Sequence, residues 1–175
     1  MEQFNFPLLE KDDIEVRIGQ CNQYGVSLLL YKNARVDMRM LDAVVGPMYW
    51  QRSHEVIGGV LYCTVSIYDA DRREWVEKTD CGTESNIEKE KGAASDSFKR
   101  ACTNWGIGRE LYTAPQIFVK ADKCQIRERG GKPACYDSFC VEKIAYDEKS
   151  RMIRGLAIDN ITTGKRCFVW SAAEP

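Results

Sequence analysis

The run Gly58-Gly59-Val60-Leu61-Tyr62-Cys63-Thr64-Val65-Ser66-Ile67-Tyr68-Asp69-Ala70-Asp71 alternates apolar and polar residues between two turn signals. In an extended chain Leu61, Cys63, Val65 and Ile67 fall on one side and Tyr62, Thr64, Ser66 and Tyr68 on the other. That period belongs to a strand with one dry face and one more polar, aromatic face. Gly58-Gly59 and Asp69-Ala70-Asp71 carry hairpin chemistry. Tyr49 to Val56 and Glu74 to Cys81 therefore read as its two neighbours in an antiparallel meander.

Downstream, after Gly82-Thr83, the pattern changes to a helical one from about Ser85 to Trp105, with Ser85 and Glu88 at capping-box spacing. Ile87, Ala94, Phe98, Ala101, Cys102 and Trp105 share one side of this helix, and Gly106 ends it. Lys89, Asp96, Arg100 and Thr103 point away from the apolar stripe, and Lys99 lies on its flank. Upstream, Asn33 or Ala34 to Val45 reads as a helix closed by Gly46-Pro47, preceded by a strand from Val26 to Tyr31. Asp12 to Ile18 reads as a short helix with acids at its start, fading by Gly19. Beyond Tyr112, residues 113–133 read as a polar connection, and Phe139 to Tyr146, Met152 to Asn160 and Lys165 to Trp170 as a second meander. Grouped strands predict an α+β fold: an antiparallel meander with a long helix across it, in the order α-β-α-β-β-β-α, then a C-terminal β-meander.

Composition narrows the functions. The chain has 175 residues, 44% of them hydrophobic, enough for one packed domain, or one domain with an added subdomain. Lys and Arg number 25 against 26 Asp and Glu, so net charge cannot attract nucleic acid and any polyanion site must be a local patch. Eight cysteines without a secretory leader or an apolar run of spanning length point to a reducing, cytoplasmic setting with thiols used for packing. His54 is the only histidine and there is no Cys-x-x-Cys pair, which argues against zinc. Neither a nucleophile elbow nor a phosphate loop is present, and Gly106-Ile107-Gly108 lacks the context of a dinucleotide fingerprint. Glu84, Glu88, Glu90 and Asp96 alternate with Lys89, Lys91, Lys99 and Arg100, the usual pattern of a solvated helix face. No enzyme and no cofactor is expected.

Lys99-Arg100 stands mid-helix, one turn before Trp105-Gly106. Cations held on a rigid helix lose less freedom on meeting a phosphate than cations on a loop. Several further blocks fall in one order: Ala34-Arg35-Val36 through Leu41, Gly46-Pro47-Met48-Tyr49-Trp50, the meander, Gly82-Thr83-Glu84, Ala94-Ser95-Asp96-Ser97-Phe98-Lys99-Arg100-Ala101, Trp105-Gly106 and Leu111-Tyr112. In this the chain resembles the annealing domain of the Rad-fifty-two-type recombination proteins, including phage and bacterial relatives of the DdrA type. The resemblance spans about residues 11–112. It implies a helix laid on a curved sheet, protomers joined side by side into a ring or arc, and single-stranded DNA held by its phosphates without nucleotide hydrolysis. By position it implies Arg35, Lys99 and Arg100 as the DNA-binding cations. Lys89 and Lys91 are secondary candidates, offset by Glu88 and Glu90. Where the family often has another basic residue this chain has Thr103, which makes the groove less positive.

The expectation is thus an annealing-type core over residues 11–112 and a β extension over 113–175, in a cytoplasmic, homo-oligomeric protein that binds single-stranded DNA and anneals complementary strands without ATP. A single-strand-binding protein or a nuclease is the expected class of protein partner, and no membrane is involved. The alternative is a module of the same fold that protects DNA ends or recruits a partner without annealing. A metal-dependent nuclease using Asp80, Glu84 and Glu88, or a purely structural oligomer, are more distant readings. Tyr62, Tyr68 and Trp75 are read as packing or subunit contacts before base-stacking groups.

Overall fold

The computed structural model describes residues 5–82 and 89–173, with side chains from residue 92 onward in the second stretch. The first elements are strands β1 (Glu15–Asn22) and β2 (Gly25–Tyr31), helix α1 (Ala34–Val44), strands β3 (Trp50–Ile57), β4 (Val60–Asp69) and β5 (Glu74–Cys81), and helix α2 (Lys89–Asn104). Six strands follow: β6 (Ile117–Lys120), β7 (Ile126–Arg129), β8 (Lys132–Cys135), β9 (Phe139–Tyr146), β10 (Ile153–Asn160) and β11 (Lys165–Ser171). Among the described residues all strand pairings are antiparallel, so the class is α+β. Two compact units form, one from Met1–Leu8 with Asn33–Arg109, the other from Leu9–Lys32 with Glu110–Pro175. Residues 9–32 fold with the C-terminal strands.

In the first unit the meander has the order β3-β4-β5. Gly58 and Gly59 both take positive φ (59° and 83°), which fixes the tight turn and pairs Ile57 with Val60. Cys63, Val65 and Ile67 are buried, and α2 packs over β4 and β5 with Phe98, Ala101 and Cys102 fully buried. Burying a side chain the size of Phe98 contributes about 2–3 kcal/mol. α1 turns Val36, Met40 and Leu41 inward, and its N-cap Asn33 accepts a hydrogen bond from the Arg35 N–H at 2.9 Å. Gly82 lies close against α2, where an added Cβ would lie 2.4 Å from the Ala93 carbonyl oxygen. The expected cap at Ser85 and Glu88 lies outside the described residues, as does Glu84.

The second unit is a six-stranded sheet of order β11-β10-β9-β1-β2-β6, whose end strands β6 and β11 come into contact. Here two expectations are corrected. Asp12–Ile18 is not a helix: Lys11–Asp13 makes a single 3-10 turn, in which the Glu10 N–H donates to Asp13 Oδ2 at 3.1 Å, and β1 begins at Glu15. The acids mark a turn, while Val16 and Ile18 follow strand alternation against Leu30 and Leu28 of β2. The leading α of the expected order is therefore a strand. The supposed polar connection likewise holds β6, whose Ile117 and Val119 are buried against β2, and the hairpin β7–β8. The second meander forms as β9–β11, with Val141, Leu156, Ile158 and Cys167 in its core.

Candidate nucleic-acid interface

The hairpin turn at Gly58-Gly59 sets which β3 residues share the face covered by α2. Arg52 lies opposite Val65 and His54 opposite Cys63, so both belong to the buried face of β4 yet sit on an end strand of the meander. There they meet the helices. The Arg52 guanidinium carbon stands 4.6 Å from the centroid of the Phe98 ring, which also stacks on Trp50 at 6.1 Å. His54 Nε2 is 3.2 Å from the Ala94 carbonyl oxygen, to which it donates in the Nε2–H form. Arg35, in the first turn of α1, is exposed on the same side.

These residues line a groove of about 400 Å³ between α1, β3 and α2, closed by Asn33, Ala34, Met38, Ala94 and Ser95. Among the described residues lining it none carries a carboxylate, and Arg35 and Arg52 carry guanidinium groups. The small side chains of Ala94 and Ser95 leave the floor open.

Arg35 is thus brought together with Arg52 and His54, which the sequence reading did not single out. Lys99 and Arg100 lie outside that lining. Lys99 is one helical turn beyond Ser95 on the same face of α2, largely covered, with Asp96 Oδ1 at 4.0 Å from its Nζ. Arg100 is turned toward β5, its Nε 3.3 Å from Asp80 Oδ1, and remains partly exposed. Asp80 also accepts from the Asn104 amide at 3.3 Å. Each member of the doublet therefore has an acid beside it, which lowers the charge it offers a phosphate. Thr103 gives its hydroxyl hydrogen to the Lys99 carbonyl at 3.0 Å. Lys89 and Lys91 begin α2, but their side chains lie outside the described residues.

The C-terminal end of α2 carries two further cations. Arg109 donates to the carbonyls of Thr103 and Asn104, and Lys78 donates to Asn104 at 2.8 Å while covering the Trp105 ring. Burial, and then the Arg109 guanidinium nearby, hold the Lys78 ammonium below its ordinary value. Trp105 donates from its indole to the Val65 carbonyl at 3.0 Å, fixing the helix end on the sheet. On the opposite sheet face Tyr49, Tyr68 and Trp75 pack together, with Tyr68 and Trp75 edge to face at 5.4 Å. No helix among the described residues is long and apolar enough to cross a membrane.

No solved structure matches the chain. The single-stranded DNA-binding protein DdrA of Deinococcus radiodurans is 33% identical over 99 residues, covering 54% of this chain and 45% of DdrA. The chain thus aligns with somewhat under half the length of that relative. A match to the Rad52/22 family of double-strand break repair proteins runs over residues 8–128, through α1, the meander, α2 and on to β7. Covering more than half of the sequence, it establishes that the chain belongs to the Rad52/22 family.

Proposed function

We propose that this protein binds single-stranded DNA along the groove of Arg35, Arg52 and His54, with Lys99 and Arg100 extending the track, and pairs complementary strands without hydrolysing nucleotide. The observation that carries the reading is the convergence of two guanidinium groups and an imidazole on one open groove free of described carboxylates. Membership of a double-strand break repair family and similarity to a protein named for single-stranded DNA binding support it.

The chemistry follows from the donors. Guanidinium groups pair with phosphate oxygens in a fork geometry, whereas no carboxylate is among the described lining residues and the amide there, Asn33, has its Oδ1 engaged by the Arg35 N–H as the N-cap of α1. Contacts to sugar and phosphate leave Watson–Crick edges open, which pairing requires. One such groove binds weakly, because only a few phosphates are neutralised. Copies of the chain placed side by side turn it into a continuous track whose contributions combine. The annealing core is proposed to lie within residues 11–112, with 113–175 an added β segment, and a single-strand-binding protein or nuclease the partner class.

Mixing fluorescently labelled complementary strands with the protein, without ATP, tests the reading. Pairing faster than in buffer is expected. The acids beside Lys99 and Arg100 favour one second reading, protection of DNA ends by a less positive groove. It gives binding and resistance to exonuclease with no gain in pairing rate.

A further inference from the structure

In the second unit β7 and β8 form a two-stranded ribbon that is a sheet of its own. Gly130 and Gly131 close it with φ of 58° and 76°, the positive pair that a two-residue hairpin needs, and Arg129 pairs with Lys132. Residues opposite each other share a face and neighbours along a strand alternate, so the register sorts the charges. Arg127, Arg129 and Lys132 fall on one face with Ala134, and Glu128 falls on the other with Pro133. All three cations are exposed. The Arg127 guanidinium donates to Gln125 Oε1 at 3.1 Å and the Arg129 guanidinium to the Tyr136 hydroxyl oxygen at 3.2 Å. Both acceptors are neutral, so the guanidinium groups are steadied with their charge intact. Among the described residues no carboxylate stands at ion-pair distance from Arg127, Arg129 or Lys132, in contrast to Lys99 and Arg100.

We propose that the cationic face of this ribbon is a binding site for duplex DNA, which it holds by the phosphates that border a groove. The site lies in the second unit, goes beyond the single-strand groove of the first and does not depend on it.

Charge complementarity calls for a polyanion, and shape selects the duplex. A two-stranded ribbon is narrow enough to enter a groove of duplex DNA, whose walls are rows of phosphate. Arg129 and Lys132 face each other at the tip from different strands, and Arg127 follows about 7 Å further along β7, so the cations form a patch rather than a line. A single strand calls instead for successive aromatic rings on which its bases stack. Beside this face there is Tyr136, 59% exposed, and its hydroxyl is already held by Arg129. An acidic peptide calls for side-chain pockets next to the cations. Of the four residues that share the face, only Ala134 is apolar, and it is too small to build one.

The test titrates the full chain into a fluorescently labelled blunt duplex and, separately, into oligo-dT of equal length, reading anisotropy at low and moderate salt. Arg127→Gln, Arg129→Gln and Lys132→Gln combined are expected to weaken duplex binding at least about tenfold. They should also make the slope of log affinity against log salt shallower by about 2–3, since each phosphate contact contributes about 0.9. Oligo-dT binding is expected to fall much less, and Glu128→Gln, on the other face, should not weaken duplex binding. Should the combined variant fail to fold, Lys132→Glu changes one exposed side chain at the turn and is expected to lower duplex affinity on its own. Four results would each overturn the proposal: a parent that does not bind the duplex at low salt, duplex affinity unmoved by the substitutions, an equal or larger loss with oligo-dT, or a labelled poly-glutamate peptide bound as tightly as the duplex.

Discussion

Replacing Gly82 by alanine tests how the helix that floors the groove is seated. The new Cβ would stand 2.4 Å from the Ala93 carbonyl oxygen and 2.8 Å from the Ser97 nitrogen, against about 3.4 Å for ordinary contact. Both obstacles are backbone, so α2 itself must retreat by roughly 1 Å, loosening Phe98, Ala101 and Cys102 from the sheet. Overpacking of this kind costs about 1–3 kcal/mol, and the rigidity of the neighbours puts Gly82→Ala toward the upper end. For a chain of this size that is a melting temperature lower by roughly 3–10 °C. Gly59→Ala is the control: it meets nothing within 4 Å and carries only the strain of φ +83°. Thermal unfolding by circular dichroism reads both variants. A Gly82→Ala protein that melts with the parent would refute the close approach of chain and helix.

Other expected outcomes follow from single contacts. Arg52→Ala removes the guanidinium from the Phe98 ring, a loss of about 0.5–1 kcal/mol in stability. If Arg52 meets one phosphate, the slope of log affinity against log salt for single-stranded DNA becomes shallower by about 0.7 per bound subunit. Lys99→Ala with Arg100→Ala breaks two partly exposed ion pairs, a folding cost of about 0–1 kcal/mol. Binding of oligo-dT at moderate salt should nonetheless fall strongly while the mass in sedimentation is unchanged; equal binding would remove the doublet from the site. Tyr146→Phe deletes the hydrogen bond from the phenol to the Leu9 carbonyl at 2.8 Å, at about 1 kcal/mol. Burial, then the Glu110 and Asp13 carboxylates, raise the Tyr146 pKa well above the ordinary tyrosine value. The neutral phenol is the form the fold favours, so its contribution is complete below about pH 10 and is lost as pH rises further. The alkaline decline in melting temperature should therefore be shallower in Tyr146→Phe.

The meander was legible because its signals were local. Alternation in Val60–Asp69 and glycines at the turn determine strand, face and register together. Arg52 and His54 were legible in principle by the same route: counting back from Gly58-Gly59 puts them opposite Val65 and Cys63, on the face a helix must cover. What the count does not give is that Phe98 and Ala94 of α2 would stand there to receive them. The Asp96–Lys99 pair is three residues apart on one helix and so is visible in sequence, whereas Asp80 reaches Arg100 only through the packing of α2 on β5. The first helix was misread because Asp12-Asp13 resembles a helix start. The pairing that makes 15–22 a strand comes from β2 and a contact with distant β9. β6 was missed for its shortness: two buried residues in four do not establish a period.

The most direct measurement is the affinity of the parent protein for a ~30-nucleotide oligo-dT, and for a mixed sequence of equal length, at low and moderate salt. Binding that is indifferent to sequence and weakens steeply with salt is predicted for a groove holding phosphates between Arg35 and Arg52. An affinity too weak to detect at low salt, or one unmoved by salt, would contradict it.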